Sequence, residues 1–162
     1  MSNRLIERIA MTRALWVEVL TWRNDPLVYV WNRTNRVIKV DEHVAWFKNR
    51  KSKLEHEPIF AYFDGSFFVG MARLDLTSTH VYEISVLVNP SFRGIGYGKA
   101  ILHDICALLS AERFAFFDVL AYIHVDNTAS RTLFESFNFI RESRVGPFDV
   151  LKWITTRDPG EA

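Results

Sequence analysis

Apolar residues return along this chain with two different periods, and the change from one to the other marks its elements. Leu5 to Ala10 reads as a first strand. Leu15, Val19 and Trp22 then recur at helical spacing across Ala14 to Arg23, with Thr12 and Arg13 placed to cap the segment. Asn24-Asp25-Pro26 stops that helix, because proline lacks an amide donor and biases its predecessor away from helix. Asp41 is suited to cap a second helix over Glu42 to Lys51, which carries Val44, Trp46 and Phe47. Ile59 to Phe63 and Phe67 to Leu74 flank Asp64-Gly65 and read as a hairpin. Val81 to Val88 is a further strand. Gly98 to Arg113 is a one-sided helix, with Ile101, Leu102, Ile105, Leu108 and Leu109 on its apolar stripe. Phe116 to Val125 is a strand and Ala129 to Phe137 a short helix; Phe139 to Ser143 and Phe148 to Ile154 close the chain as strands. The pattern predicts a mixed sheet with helices packed on it, an α/β or α+β three-layer architecture.

No repeat or Pro/Gly/Ser-rich linker divides the 162 residues, so one domain over 1–156 is expected, with 157–162 as a polar tail. Hydrophobic residues make up 49% and aromatics 14%, enough for a sizeable core. Twenty Lys and Arg stand against 19 Asp and Glu, and a net charge of +1 leaves no footprint for nucleic acid or an anionic membrane. Cys106 is the sole cysteine, which excludes an intrachain disulfide and a Cys-based zinc cage; it sits in an apolar helical run and reads as a packed thiol. No metal is expected. The first residues carry no stretch of signal-peptide length and no run approaches a membrane span, so the expectation is a cytoplasmic protein.

The chemistry concentrates after the Val81 to Val88 strand. Asn89-Pro90-Ser91-Phe92-Arg93-Gly94-Ile95-Gly96-Tyr97-Gly98-Lys99 runs straight into a helix. Glycines lack Cβ, so backbone amides can approach an anion closely at the positive end of a helix. Arg93 and Lys99 add charge for the same ligand. A dinucleotide fold would need this loop after its first strand, and a phosphate-loop nucleotide site would need Gly-Lys-Ser or Gly-Lys-Thr; neither pattern is met.

Arg93-Gly94-Ile95-Gly96-Tyr97-Gly98 resembles the Arg/Gln-x-x-Gly-x-Gly/Ala signature of the GNAT superfamily of acyl-CoA N-acyltransferases. The resemblance covers nearly the whole chain in element order. It implies a central, mostly antiparallel sheet flanked by helices, and acetyl-CoA (coenzyme A) as co-substrate. Carried over, it assigns Val86, Leu87 and Val88 to the pantetheine arm, and Arg93, Gly94, Ile95, Gly96, Tyr97, Gly98 and Lys99 to the pyrophosphate. Asn127-Thr128-Ala129-Ser130-Arg131-Thr132-Leu133-Phe134-Glu135-Ser136-Phe137-Asn138-Phe139 resembles the family's second motif, placing Asn127, Ser130 and Phe134 at the coenzyme. Asn127 is equally a good N-cap in its own right. Asn138 stands where the family has Gly, and asparagine tolerates positive φ. Phe134 stands where many members carry the tyrosine that protonates the leaving thiolate. Phenylalanine cannot donate a proton.

The resemblance implies attack by a neutral amine on the acetyl thioester. Glu83 lies where members place a carboxylate acting as base through water; it is otherwise a solvated strand residue. Tyr122 falls where some members carry a catalytic Glu, and His124 shares its face by period-two alternation. A backbone amide near Leu87 would meet the oxyanion.

Trp22-Arg23-Asn24-Asp25-Pro26 and Glu42-His43-Val44-Ala45-Trp46-Phe47 resemble segments of a GNAT branch acting in pseudaminic and related nonulosonic acid biosynthesis. That branch acetylates a UDP-linked 4-amino-dideoxy sugar, so the resemblance offers a nucleotide-linked amino sugar as acceptor. Similar segments occur in enzymes acetylating ribosomal-protein N-termini or small amines, and a non-catalytic acyl-CoA-binding module is the alternative from another class. Arg23 suits a diphosphate, Asn24 and His43 sugar hydroxyls, and Trp46 or Trp22 a ring face. Read from packing alone, the tryptophans are core anchors and Asn24-Asp25-Pro26 a helix stop. A homodimer is compatible with the resemblance.

Overall fold

The computed structural model describes residues 4–154, so the polar tail lies outside the described residues. Seven strands form one sheet: β1 (Glu7–Ala10), β2 (Ile59–Asp64), β3 (Phe67–Ser78), β4 (Val81–Val88), β5 (Asp118–His124), β6 (Phe139–Val145) and β7 (Phe148–Trp153). Their spatial order is β1-β2-β3-β4-β5-β7-β6, and every neighbouring pair is antiparallel except β4 and β5. Among the described residues five α-helices accompany them: α1 (Arg13–Arg23), α2 (Pro26–Tyr29), α3 (Val40–Arg50), α4 (Tyr97–Leu109) and α5 (Thr128–Glu135). The mixed α/β architecture read from the pattern is the one observed.

Period-two alternation sorts the strand residues between two cores. Ala72, Leu74, Tyr82 and Ile84 pack with Ile101, Leu102 and Ile105 of α4 and Phe134 of α5. Met71 and Ala61 point the other way and pack with Trp16, Val19 and Trp22 of α1 and Phe47 of α3. Burial pushes the Cys106 thiol up to about 12, in keeping with a packed side chain rather than a nucleophile. Arg131 of α5 reaches the buried Asp149 of β7 at 3.1 Å, fixing that short helix against the sheet.

Two helix starts differ from the sequence reading. Pro26 does end α1, and it also opens α2: Asp25 accepts from the Leu27 amide at 2.8 Å, and proline suits the first helical position, where no donor is needed. The third helix begins at Val40 rather than after Asp41, with no side-chain cap at Lys39. Asp41 and Glu42 therefore sit inside its first turn, where they complement the helix dipole.

Gly70 of β3 sets the spacing between the sheet and α4. A Cβ there would stand 2.5 Å from Ile101 Cδ1 and 2.8 Å from the Leu87 carbonyl oxygen. The isoleucine tip can rotate, but the β4 carbonyl cannot leave its ladder. Gly70→Ala should therefore lower the unfolding free energy by about 1–3 kcal/mol. An unchanged urea midpoint would show that the strands part without cost.

Candidate active site

The sheet opens at its one parallel pair. β4 and β5 share only three rungs, Val81 with Asp118, Tyr82 with Val119 and Glu83 with Leu120. Beyond Glu83 each strand stays with its outer neighbour: β4 follows β3 to Val88, and β5 follows β7 to His124. The wedge between them is a cavity of about 450 Å³ walled by Ile84 to Val88 on one side and Ala121 to His124 on the other. Backbone groups of β4 that a neighbouring strand would otherwise use line this wedge.

The glycine loop closes one end. Asn89 donates to the Phe68 carbonyl at 2.9 Å and accepts from the Ser91 amide at 3.0 Å, which turns the chain sharply after β4. Gly94 (φ 75°) and Gly96 (φ 100°) hold left-handed conformations, and Gly96 is the cap residue of α4. Gly98 serves a different need: a Cβ would meet Leu133 Cδ2 at 3.2 Å and Val88 Cγ2 at 3.5 Å, so α4 approaches both α5 and β4 there. The first-turn amides of α4 have no carbonyl within their own helix.

Of the residues assigned to the coenzyme, Val86, Leu87, Val88, Arg93, Gly94, Tyr97, Gly98, Asn127, Ser130 and Phe134 all line the cavity. Ile95, Gly96 and Lys99 belong to the same loop and first helical turn but do not line it. Tyr97 turns its hydroxyl away, donating to Asp64 at 2.7 Å. Asn127 caps α5, accepting from the Ser130 amide at 3.2 Å. Phe134 is buried edge-on against Phe139 at 4.9 Å. Asn138 takes φ 64°, the turn conformation expected where glycine is absent.

Glu83 sits on the last shared rung, 7% exposed, at the apex of the wedge. It does not itself line the cavity; its carboxylate is paired with the guanidinium of Arg33, from the segment after α2. The same guanidinium lies 4.6 Å from the centre of the Tyr122 ring, which does line the cavity. His124 Nδ1 accepts from the Asp126 amide at 3.2 Å, and its ring lies between Trp31 (5.2 Å) and Phe148 (5.5 Å).

The four acceptor residues read from the sequence do not line this cavity. His43 is a correction: it is 1% exposed, stacked flat on Trp16 at 4.3 Å, with Nε2 2.5 Å from the Trp16 carbonyl. Burial lowers its pKa, and the neutral ring ties α3 to α1. Asn24 is likewise committed to the backbone, donating to the Ile38 carbonyl at 2.9 Å and accepting from its amide at 2.8 Å. Trp46 stacks on Trp16 at 5.1 Å beneath Arg50 and Arg73, and Trp22 packs on Phe68, so both indoles are anchors. Arg23 differs from these: among the described residues it makes no ion pair or hydrogen bond, approaches the Trp16 ring at 6.0 Å, and feels Asp75 and Glu42 only at longer range. Burial first, and Arg73 second, bring its pKa down to about 10, still charged at neutral pH.

What the sequence reading missed is α2 and its sequel. Leu27, Val28, Trp31 and Asn32 form the remaining wall of the cavity. The signal was present in Asp25-Pro26, a capping pair as much as a stop.

A seven-stranded sheet split at a parallel pair, with a glycine-rich turn feeding a helix into the split, defines an acyl-CoA-type transferase fold. The sequence model of the Acetyltransferase (GNAT) family matches residues 16–139, and the chain belongs to that family. It is 28% identical over 110 residues to the uncharacterised N-acetyltransferase YfmK of Bacillus subtilis, spanning 68% of this chain and 70% of YfmK. A domain from Methanocaldococcus jannaschii has the same fold at 20% identity and a TM-score of 0.79, over 91% of this chain and 97% of that one. A spermidine N-acetyltransferase from Vibrio cholerae, solved with CoA and spermine, superposes with a TM-score of 0.70 at 16% identity, over 91% and 92% of the two chains. Among the described residues no cluster of three or more His, Cys, Asp or Glu is placed to hold a metal ion, and no helix is long and apolar enough to cross a membrane.

Proposed function

We propose that this protein transfers the acetyl group of acetyl-CoA to a primary amine by direct attack. The wedge between β4 and β5 carries this reading. A pantetheine arm presents amides in an extended chain, and an open strand edge accepts such a chain as it would another strand. The pyrophosphate suits the first turn of α4, where Gly94, Gly96 and Gly98 leave the amides accessible.

The acceptor nitrogen attacks the thioester carbonyl, a C–N bond forms, and the negative charge on oxygen is met by a backbone amide near Leu87. The C–S bond then breaks and coenzyme A leaves as thiolate. With a thiol pKa of roughly 8.5 the thiolate is a tolerable leaving group and takes its proton from water, which Phe134 could not supply. The proton lost by the amine goes to Glu83 through water. Tyr122 shapes the place of attack beside that carboxylate.

A nucleotide-linked 4-amino sugar is the more particular reading of the acceptor. What favours it is Arg23, a partly buried cation in the half of the chain offered to the acceptor. It feels Asp75 and Glu42 at a distance but has no carboxylate within ion-pair contact among the described residues, leaving its fork open to a phosphate oxygen. A ribosomal-protein N-terminus or a small amine is the other reading. Thiol release should be followed with acetyl-CoA and a panel containing a UDP-linked 4-amino sugar, the same sugar without its nucleotide, an N-terminal peptide and a polyamine. Transfer to at least one amine is expected. Equal rates with and without the nucleotide would end the phosphate role of Arg23. Coenzyme binding with no release from any amine would make the protein a binding module.

A further inference from the structure

Arg33 belongs to none of the family motifs, yet it holds the most telling position in the site. Its side chain is 52% exposed and comes from the segment joining α2 to α3; Glu83, which it pairs with, is 9% exposed at its side chain. An exposed cation has thus been laid into a recess whose floor is a carboxylate and whose wall is the Tyr122 ring, 4.6 Å away. A recessed carboxylate beside an aromatic face is a cation subsite by its chemistry. On the reading proposed above, the acceptor arrives as an ammonium and must pass its proton toward that same carboxylate. Arg33 engages Oε1 of that carboxylate, so an ammonium seeking the same oxygen must compete with it.

We infer that Arg33 is a reversible plug: it occupies the subsite of the acceptor's ammonium in the free protein and is displaced when the acceptor binds. Nothing buries Arg33 in place. Its neighbours Thr34, Asn35 and Arg36 are exposed, and Arg36 is tied to α3 only by a surface ion pair with Glu42 at 2.6 Å, so Arg33 can swing out without unpacking a core. The segment is hinged on firmer points. On one side α2 packs through Val28; on the other, Asn24 clamps Ile38 by two hydrogen bonds. A competing internal cation lowers apparent acceptor affinity by the fraction of molecules in which the subsite is free. It also selects for acceptors that bring a cation of their own, since a neutral ligand regains from Glu83 only a hydrogen bond in exchange for the lost ion pair.

The test compares Arg33→Gln and Arg33→Lys with the wild-type protein, using an amine that the wild type turns over. Arg33→Gln should lower the acceptor KM by about three- to tenfold while the acetyl-CoA KM holds. Arg33→Lys, which restores a cation, should lie between. A raised KM in Arg33→Gln would mean that Arg33 binds the acceptor. A reduced kcat rescued by Lys would mean that it positions Glu83. Either result overturns the plug. A second readout does not need turnover: the guanidinium nitrogen NMR signals of Arg33, assigned by their loss in Arg33→Lys. They should shift in Glu83→Gln and on titration with butylammonium chloride. Signals indifferent to both would dismiss the subsite. Responsive signals in a protein that acetylates no amine would keep the subsite and remove the transfer reaction.

Discussion

Gly98→Val should lose acetyl-CoA binding by about two orders of magnitude in Kd, roughly 2.7 kcal/mol. Gly98 lies in the first turn of α4 and faces Leu133 and Val88 at contact distance for a bare Cβ. Two further methyl groups would push α4 away from α5 and β4, and would fill the space through which the first-turn amides reach an anion. Gly96→Val should do the same by another route. At φ 100° a β-branched residue is strained by about 1–3 kcal/mol, and relief of that strain would rotate the loop amides out of register. Loss of stability alone must be separated from loss of the site. Gly65 supplies the control: it too has positive φ (57°), with nothing within 4 Å, but it turns the β2–β3 hairpin. Gly65→Val should be destabilised and still bind. Thermal stabilisation by acetyl-CoA is the measurement. At a ligand concentration of about 100 Kd it should amount to about 2.7 kcal/mol in the wild type and nearly vanish in both loop variants. Full stabilisation of Gly98→Val would remove the coenzyme from this loop.

The backbone geometry of the glycine loop was legible from the chain because its demands are local. Left-handed backbone at Gly94 and Gly96, and close approach at Gly98, need glycine whatever surrounds them, so the residue type announces the geometry. Asn138 was legible for the same reason, as the side chain best tolerated at φ 64° in glycine's stead. The surroundings of the residues offered to an acceptor were not legible, because those residues are engaged by partners far along the chain. His43 looks like a ligand until Trp16, 27 residues earlier, takes up its ring and its Nε2. Asn24 offers an amide to a substrate until Ile38, 14 residues on, takes both ends of it. Arg33 carries no local signal at all; only the fold brings it to Glu83, 50 residues away. Boundaries failed mildly for a related reason. Pro26 ends one helix and begins another with the same fixed φ and the same missing donor, and local chemistry alone does not say that both happen.

Glu83→Gln should cost about 10²- to 10⁴-fold in kcat at neutral pH, and progressively less as the pH rises. Glutamine keeps the shape of the side chain and one oxygen for Arg33, but it carries no charge and takes no proton. At neutral pH an alkyl ammonium with a pKa of about 10.4 is almost wholly protonated, so wild-type turnover depends on a group that removes the proton within the complex. Each unit of rising pH increases the free-amine fraction about tenfold until that pKa is reached, and the variant gains in proportion. The wild type, with its base in place, gains less, so the two profiles converge from below the amine pKa. Stability should be measured alongside. Arg33, left without its carboxylate, is half exposed and rehydrates, whereas the buried Arg73, which also feels Glu83, keeps only its 3.0 Å pair with Asp75, and that loss can cost stability. The acetyl-CoA KM should stay near the wild-type value in the variant, since Glu83 lies outside the cavity lining. A rate loss equal at every pH would assign Glu83 to holding the acceptor rather than to proton removal. Wild-type rates throughout would take it out of the chemistry, and the cation subsite at the apex of the wedge would then serve binding alone.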